Sequence, residues 1–154
     1  MYLDPRGPRF AAALTSVVLA LVLITGSGWL LAAQTIVFAI GAFAGLHRSP
    51  YGVIFRRFVR PRLAPPAELE AAAPPRFAQA VGFVVAAIGT VAFAVGLPTV
   101  GLVAAGLAFA AAFLNAVFGF CLGCEIYLLV RRAFPATTTP THPTSNTTPE
   151  EITA

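Results

Sequence analysis

Four long apolar runs constrain the fold of this chain more than any other feature of its sequence. The runs span residues 10–26, 29–46, 77–96 and 101–122. Each run approaches the roughly 20 residues that an α-helix needs to cross the hydrocarbon core of a membrane. Hydrophobic residues make up 58% of the chain and charged residues only 10%, which excludes an ordinary soluble domain. The sequence therefore predicts an all-α integral membrane protein, a bundle of four transmembrane helices.

The basic residues predict how this bundle is oriented. All ten are arginines, and they precede the first run, separate the second from the third, or follow the fourth. The short connections at 27–28 and 97–100 carry no charge. Because short cytoplasmic loops are enriched in Arg and Lys, we expect a multi-pass protein of the bacterial cytoplasmic membrane with both termini cytoplasmic. The basic pI then reflects attraction to anionic lipid rather than to nucleic acid, for which no motif is present.

The two halves of the chain show a weak internal duplication. Residues 8–11, Pro-Arg-Phe-Ala, recur as residues 75–78. We interpret the halves as two similar helical hairpins related by an axis along the membrane normal, with chance similarity between Ala-rich and Phe-rich helices as the alternative. If the duplication holds, His47 and Arg48 lie beside Cys121 at the cytoplasmic rim.

The loop between the hairpins contains an amphipathic segment at residues 51–60. At 100° per residue its apolar side chains fall on one arc: Tyr51, Ile54, Phe55, Phe58 and Val59. The opposite side carries Arg56, Arg57 and Arg60. We expect a short interfacial helix whose arginines contact lipid phosphates, and the alternative is a helix packed on the bundle. The membrane domain then covers residues 1–134, followed by a disordered cytoplasmic tail at 135–154, which is rich in Pro, Thr and Ser.

The only cysteines, Cys121 and Cys124, form a Cys-x-x-Cys motif at the end of the fourth apolar run. One turn of helix separates them, so they can close to a disulfide or share a metal ion. If the fourth helix runs through them, they lie at its negative C-terminal pole, and Glu125 adds further negative charge. Both effects disfavour the reactive thiolate, and His47 with Arg48 would oppose them.

Three interpretations of the cysteines stay open at this point. A thiol–disulfide or sulfur-relay site is favoured, because a cytoplasmic environment makes a permanent structural disulfide improbable. Zinc would need further ligands, since two cysteines complete only half of a tetrahedral site. Alternatively, the cysteines only pack, in a membrane scaffold or a small-solute carrier. The sequence identifies no cofactor and leaves the oligomeric state and the question of enzymatic activity open.

Two amides lie within the apolar runs, Gln34 and Asn115. An amide at membrane depth is costly unless it is paired, so we expect both to form hydrogen bonds between helices. No Asp, Lys or Arg lies inside a run to mark a path for protons or ions.

Three sequence elements together resemble a known family. They are residues 4–10 (Asp-Pro-Arg-Gly-Pro-Arg-Phe), residues 48–52 with the double arginine at 56–57, and residues 120–125 (Phe-Cys-Leu-Gly-Cys-Glu). The chain is similar, up to Arg132, to domain of unknown function family 4395. The resemblance implies a bacterial membrane protein, common in actinobacteria and without an established activity. It also implies gene neighbours of the thioredoxin-like and sulfurtransferase classes, which are the protein partners we expect besides the lipid bilayer.

Overall fold

The fold is all-helical, as the sequence predicts. A computed structural model describes residues 2–66 and 69–134. These residues form the following elements: β1 (Tyr2–Leu3), α1 (Arg6–Thr25), α2 (Gly28–Ala39), α3 (Pro50–Ile54), β2 (Glu70–Ala71), α4 (Ala73–Ala94), α5 (Pro98–Phe118) and α6 (Leu122–Ala133). Helix α2 continues as a π-helical turn over Ile40–Ala44, and α3 continues as one over Phe55–Val59. The predicted tail at 135–154 lies outside the described residues.

Three of the described helices are long and apolar enough to cross a membrane. They are α1, α4 and α5. Helix α2 together with its π-helical turn, Gly28–Ala44, is also apolar but shorter. The described residues therefore have the composition and helix lengths of a membrane protein.

Local backbone signals, rather than the apolar runs, determine where the helices end. Helix α5 stops at Phe118 because Gly119 adopts a left-handed conformation with φ of 70° and donates its N–H to the carbonyl of Asn115. Gly26 ends α1 in the same way, with φ of 63°. The prediction that the fourth helix continues through Leu122 is therefore wrong.

Small residues bring the long helices close together. Helix α1 packs mainly on α5, α2 packs on α4, and α4 also packs along α5. A Cβ atom added to Gly89 of α4 would lie 2.8 Å from the Leu31 side chain and 2.9 Å from Cβ of Ala104. Only glycine fits at this crossing, as is common where helices associate within lipid by close packing. Around it lies the core cluster: Leu19, Val22, Leu31, Phe38, Ala86, Ala105 and Ala108.

Hydrogen bonds between side chains link the helices inside the bundle. Gln34 is only 1% exposed; its amide nitrogen donates to the hydroxyl of Thr15 at 3.4 Å, and its amide oxygen accepts from Tyr51 at 2.7 Å. The hydroxyls of Thr35 and Thr90 lie 3.0 Å apart. The predicted interhelical role of Gln34 is thus observed.

The amphipathic segment at 51–60 is divided between the bundle and the surface. Phe55 is 4% exposed and packs on the ring of Phe10 in α1, while Tyr51 reaches inward to Gln34. Burial raises the pKa of the Tyr51 phenol, so the hydroxyl keeps its proton and acts as the donor. Phe58 by contrast is 57% exposed. Tyr51 and Phe55 therefore pack on the bundle, as the alternative to an interfacial helix predicts, whereas Phe58 stays on the surface.

The same contacts recur in the two halves of the chain. Phe10 of α1 packs on Phe55 with ring centroids 5.8 Å apart, and Phe77 of α4 packs on Tyr127 of α6 at 5.7 Å. Left-handed Gly119 follows α5, and Gly45, with φ of 97°, follows the π-helical turn after α2. The short segments after each hairpin, α3 and α6, therefore occupy corresponding places against α1 and α4.

Charged side chains gather at one end of the bundle. Helices α1 and α4 start at this end, α3 and α6 pack beside them, and β1 pairs antiparallel with β2 there. The opposite end consists of the uncharged turns around Gly26 and Gly96. Among the described residues, the charged side chains are thus confined to one end of the bundle, and the cysteines lie at that end.

Candidate dithiol site

Cys121 lies at the N-terminus of α6, not at the C-terminus of α5. After Gly119 reverses the backbone, Cys121 takes up an extended conformation, with φ of −89° and ψ of 97°, and caps the new helix. Its Sγ atom accepts the backbone N–H of Cys124 at 3.3 Å. The expectation that the cysteines lie at a negative helix pole is therefore wrong. They lie in the first turn of α6, where the helix dipole is positive and favours a thiolate.

The two cysteines are joined to each other by a disulfide bond. Their Cα atoms are 5.2 Å apart, within the range that disulfides need. Both residues are partly exposed. The predicted alternative of a disulfide is thus the state observed, although a permanent one was expected to be improbable in a reducing compartment. The site thus holds the pair oxidised while both residues stay partly exposed.

Gly123 determines how closely this turn approaches α4. A Cβ atom at Gly123 would lie 2.6 Å from Cβ of Ala78 and 2.7 Å from its Cα. Because non-bonded carbon atoms do not approach each other that closely, only glycine allows α6 to rest on the backbone of α4 here. The packing of Tyr127 on Phe77 fixes the next turn of α6. The Cys-x-Gly-Cys spacing therefore combines the cysteine pair with the close contact of α6 on α4.

Arg9 is the arginine that lines the cavity beside the disulfide. A Cβ built at Gly119, two residues before Cys121, would lie 3.6 Å from the guanidinium carbon of Arg9. Arg9 lines the same cavity as both cysteines. His47 lines a different cavity, which contains neither cysteine, and Arg48 lines neither of the two. Of Arg9, His47 and Arg48, the structure therefore brings only Arg9 to the cavity that the cysteines line.

A cavity of about 330 Å³ opens beside the disulfide. Helices α1, α4 and α5 form its walls, and the first turn of α6 closes one end. Most of the lining is apolar, and the polar side chains in it are Arg9, Thr15, Glu70, Gln79 and Asn115. Asn115 therefore borders a cavity, whereas the sequence predicts only a hydrogen bond between helices for it.

A second cavity, of about 360 Å³, lies at the corresponding place in the other half. Its lining includes Ser49 and His47, together with Arg56, Arg60 and Arg76. Ser49 occupies the position before α3 that Cys121 occupies before α6. Only Pro8, Leu46 and Gln79 border both cavities. Each half thus has a cavity of its own at the corresponding place. The two cavities differ in chemistry, because only the first is lined by a pair of cysteines.

The three arginines predicted to contact lipid lie on the π-helical turn after α3 and at its end. Arg56 donates to the backbone carbonyl of His47 at 3.0 Å. Arg57 and Arg60 are exposed. Their contact with lipid phosphates stays a prediction.

Glu125 is exposed in the first turn of α6. A carboxylate there interacts favourably with the positive helix end, so its role in the fold is to stabilise α6. Within residues 2–66 and 69–134, no group of three or more His, Cys, Asp and Glu side chains comes together as a metal site would require. In that part of the chain, Glu125 and the cysteines do not gain the further ligands that the zinc alternative needs.

Sequence reasoning missed Arg9 as a member of this site. The signal was present, because residues 8–11 and 75–78 repeat each other and Arg76 donates to the carbonyl of Ala42 at the end of α2. By the same relation Arg9 belongs at the end of α5, which leads directly to Cys121. Applying the repeat to the helix starts would have identified Arg9.

Comparison with known proteins identifies a family but no characterised relative. The model of the domain of unknown function DUF4395 matches residues 3–132. No curated protein and no solved structure shows a significant match. The match spans all the elements described above, from β1 to the last turn of α6. The chain therefore belongs to the DUF4395 family.

Proposed function

We propose that Cys121 and Cys124 form a redox-active pair that exchanges disulfides, or relays sulfur, at the surface of a membrane. The observation that carries this proposal is the position of Cys121 as the N-cap of α6, with the N–H of Cys124 on its sulfur. Helix N-termini favour the thiolate, which is the form that attacks disulfides. Arg9 supports the same form by its positive charge in the shared cavity.

The exchange reaction follows from the two positions in the turn. In the reduced protein the Cys121 thiolate attacks one sulfur of a partner disulfide, forming a mixed disulfide and releasing the partner's other sulfur as a thiol. Cys124 then loses its proton and attacks Cys121. The protein disulfide forms again, and the partner leaves with both of its sulfurs reduced. The exchange is reversible, so the protein disulfide can equally oxidise a partner dithiol, which leaves Cys121 and Cys124 reduced.

The membrane arrangement that fits this chemistry has four spans. Helix α2 with its π-helical turn is close to the shortest length that crosses a hydrocarbon core, and it packs between spans of full length. With all arginines at one end, the positive-inside rule favours cytoplasmic termini. The protein would then be a multi-pass component of the bacterial cytoplasmic membrane, with Arg56, Arg57 and Arg60 on lipid phosphates.

A thioredoxin-like or sulfurtransferase protein is the partner class that suits an exposed dithiol on the cytoplasmic side. Such a partner would approach the first turn of α6, where both cysteines are partly exposed. A different class of function, a scaffold or a carrier of small sulfur compounds, is favoured by the tight packing of Gly123 on Ala78. In that case the disulfide only stabilises the α5–α6 junction.

Trapping the mixed disulfide tests the proposal. In cells quenched with acid, we expect Cys124→Ser to accumulate a covalent complex with a partner protein, because no second thiol releases it. The matched variant Cys121→Ser should give none, since it lacks the attacking sulfur. If neither variant forms a mixed disulfide or persulfide and the wild-type pair never changes redox state, the scaffold or carrier function is the correct one.

A further inference from the structure

We infer that the cavity beside the disulfide binds a lipid-soluble quinone, which accepts two electrons from the Cys121–Cys124 pair. This inference rests on the proposed function and names the electron acceptor for the same site. It starts from the fact that the cavity of about 330 Å³ includes both cysteines in its lining. A molecule at this end of the cavity therefore lies next to the two cysteines.

The cavity extends from the disulfide into the apolar part of the bundle. One face of α5 lines it from Gly119 back to Leu107, which is roughly 18 Å along the helix axis at about 1.5 Å per residue. The residues of this face recur at helical spacing: Leu107, Ala108, Ala111, Ala112, Asn115 and Gly119. Alanine and glycine dominate it, so the space exists because these side chains are small. The volume lies at the lower end of the range for small-molecule sites, roughly 300–1,000 Å³.

The distribution of polar groups suits a molecule with a polar ring and an apolar tail. Arg9 and Asn115 lie towards the end of the cavity that holds the disulfide. Both carry N–H groups that can donate to the carbonyl oxygens of a quinone ring. Further inside, the lining is formed by Phe38, Val85 and Leu107, which can contact an isoprenoid tail.

The chemistry balances without a further cofactor. A partner dithiol first reduces the pair by disulfide exchange. The two thiols of the reduced pair then lose two electrons and two protons, and an S–S bond forms between Cys121 and Cys124. The quinone gains both electrons and both protons, so that its two carbonyl groups become hydroxyl groups. A water-soluble acceptor would have to leave its hydration shell among apolar walls, which is costly. A quinone is already dissolved in the lipid that surrounds α1, α4 and α5.

Decylubiquinone is the probe that tests this inference. All its ring positions are substituted, so it oxidises thiols without forming adducts on the ring. The reduced wild-type protein in nanodiscs, kept free of oxygen, should yield one quinol for each disulfide formed. Ala112→Leu places a larger side chain in the cavity and should slow the reaction by about tenfold or more. Ala110→Leu is the matched control on the exposed side of α5 and should react like the wild type.

Exchange with a model peptide disulfide, measured on the same samples, separates the possible results. We expect Ala112→Leu to keep this exchange, which also demonstrates a folded dithiol site. Asn115→Leu, which removes the amide near the disulfide, should slow quinol formation as well.

Equal rates of quinol formation for Ala112→Leu and Ala110→Leu would overturn the inference. A wild-type protein that exchanges disulfides but leaves decylubiquinone unreduced would overturn it too, while the proposed function would stand. If the protein did neither, both would fail.

Discussion

A single glycine positions the reactive turn against the bundle. Gly123 rests on the backbone of Ala78, where a Cβ atom has no room. We predict that Gly123→Ala lowers the stability of the protein by about 1–3 kcal/mol, because α6 must move away from α4 to admit the methyl group. Thermal unfolding of the purified protein in detergent measures this change.

Gly106→Ala provides the control for this prediction. Nothing lies within 4 Å of a Cβ atom at Gly106, which is in the interior of α5. Alanine there should be neutral or raise stability by about 0.5–1 kcal/mol, since glycine loses more conformational freedom in a helix. If both variants unfolded at the same temperature as the wild type, the close contact at Ala78 would not constrain the site.

We expect the positive charge of Arg9 and the N-terminus of α6 to raise the reactivity of the cysteine pair. We predict that Arg9→Gln slows alkylation of the reduced protein at neutral pH by about two- to tenfold, because a positive charge that favours the thiolate is lost. The difference should vanish at high pH, where the thiol is ionised in either protein. Rates of reaction with iodoacetamide as a function of pH measure the effect.

His47 and Arg48, which the sequence predicts beside Cys121, provide the control for Arg9→Gln. His47→Ala and Arg48→Ala should leave the alkylation profile of the wild type unchanged, because His47 lines the other cavity and Arg48 lines neither. A profile that shifts in these variants and not in Arg9→Gln would contradict the electrostatic role given to Arg9.

At the scale of the helices, the break between α5 and α6 has the largest effect on the surroundings of Cys121. One left-handed residue, Gly119, converts an expected helix C-terminus into the start of a new helix. The dipole acting on Cys121 therefore reverses from disfavouring to favouring the thiolate. After the break, α6 packs on α4 through Tyr127 and Phe77.

The two short helices show what the internal repeat preserves. Helix α3 with its π-helical turn, and helix α6, each pack an aromatic ring on the first turns of a long helix. Phe55 packs on Phe10, and Tyr127 packs on Phe77. At the caps, however, Ser49 stands in one half and Cys121 in the other. Packing is therefore shared between the halves, and the proposed sulfur chemistry belongs to the second half.

For the whole molecule, the asymmetric distribution of charge predicts its orientation in the membrane. In a protein with Cys121 and Cys124 replaced by serine, we expect Thr99→Cys to react with an impermeant maleimide in intact cells. Thr99 is exposed beside the uncharged turn at Gly96, which the positive-inside rule places outside. The measurement is the fraction labelled before and after permeabilisation.

Leu63→Cys is the opposite marker in the same background. Leu63 is exposed in the arginine-rich loop and should react only after permeabilisation. If Leu63→Cys were labelled from outside, the orientation would be the reverse of the predicted one. The cysteine pair would then face the oxidising side of the membrane.

The sequence by itself determined the class of the protein, the places of its long helices and the pair of cysteines that draws attention. Hydrophobicity and charge decide these features, and both are properties of single residues that can be summed along the chain. The internal repeat was also readable, although it was applied to the segment of His47 and not to the helix starts, where it points to Arg9.

Only the tertiary structure decided the surroundings of Cys121. The left-handed backbone at Gly119, the contact of Gly123 with Ala78 and the cavity between α1, α4 and α5 depend on residues distant in sequence. Glycine permits many backbone conformations, so its presence alone does not say which one the packing selects. For that reason the direction of the helix dipole at the cysteines, and with it their proposed reactivity, could not be inferred from the order of the amino acids.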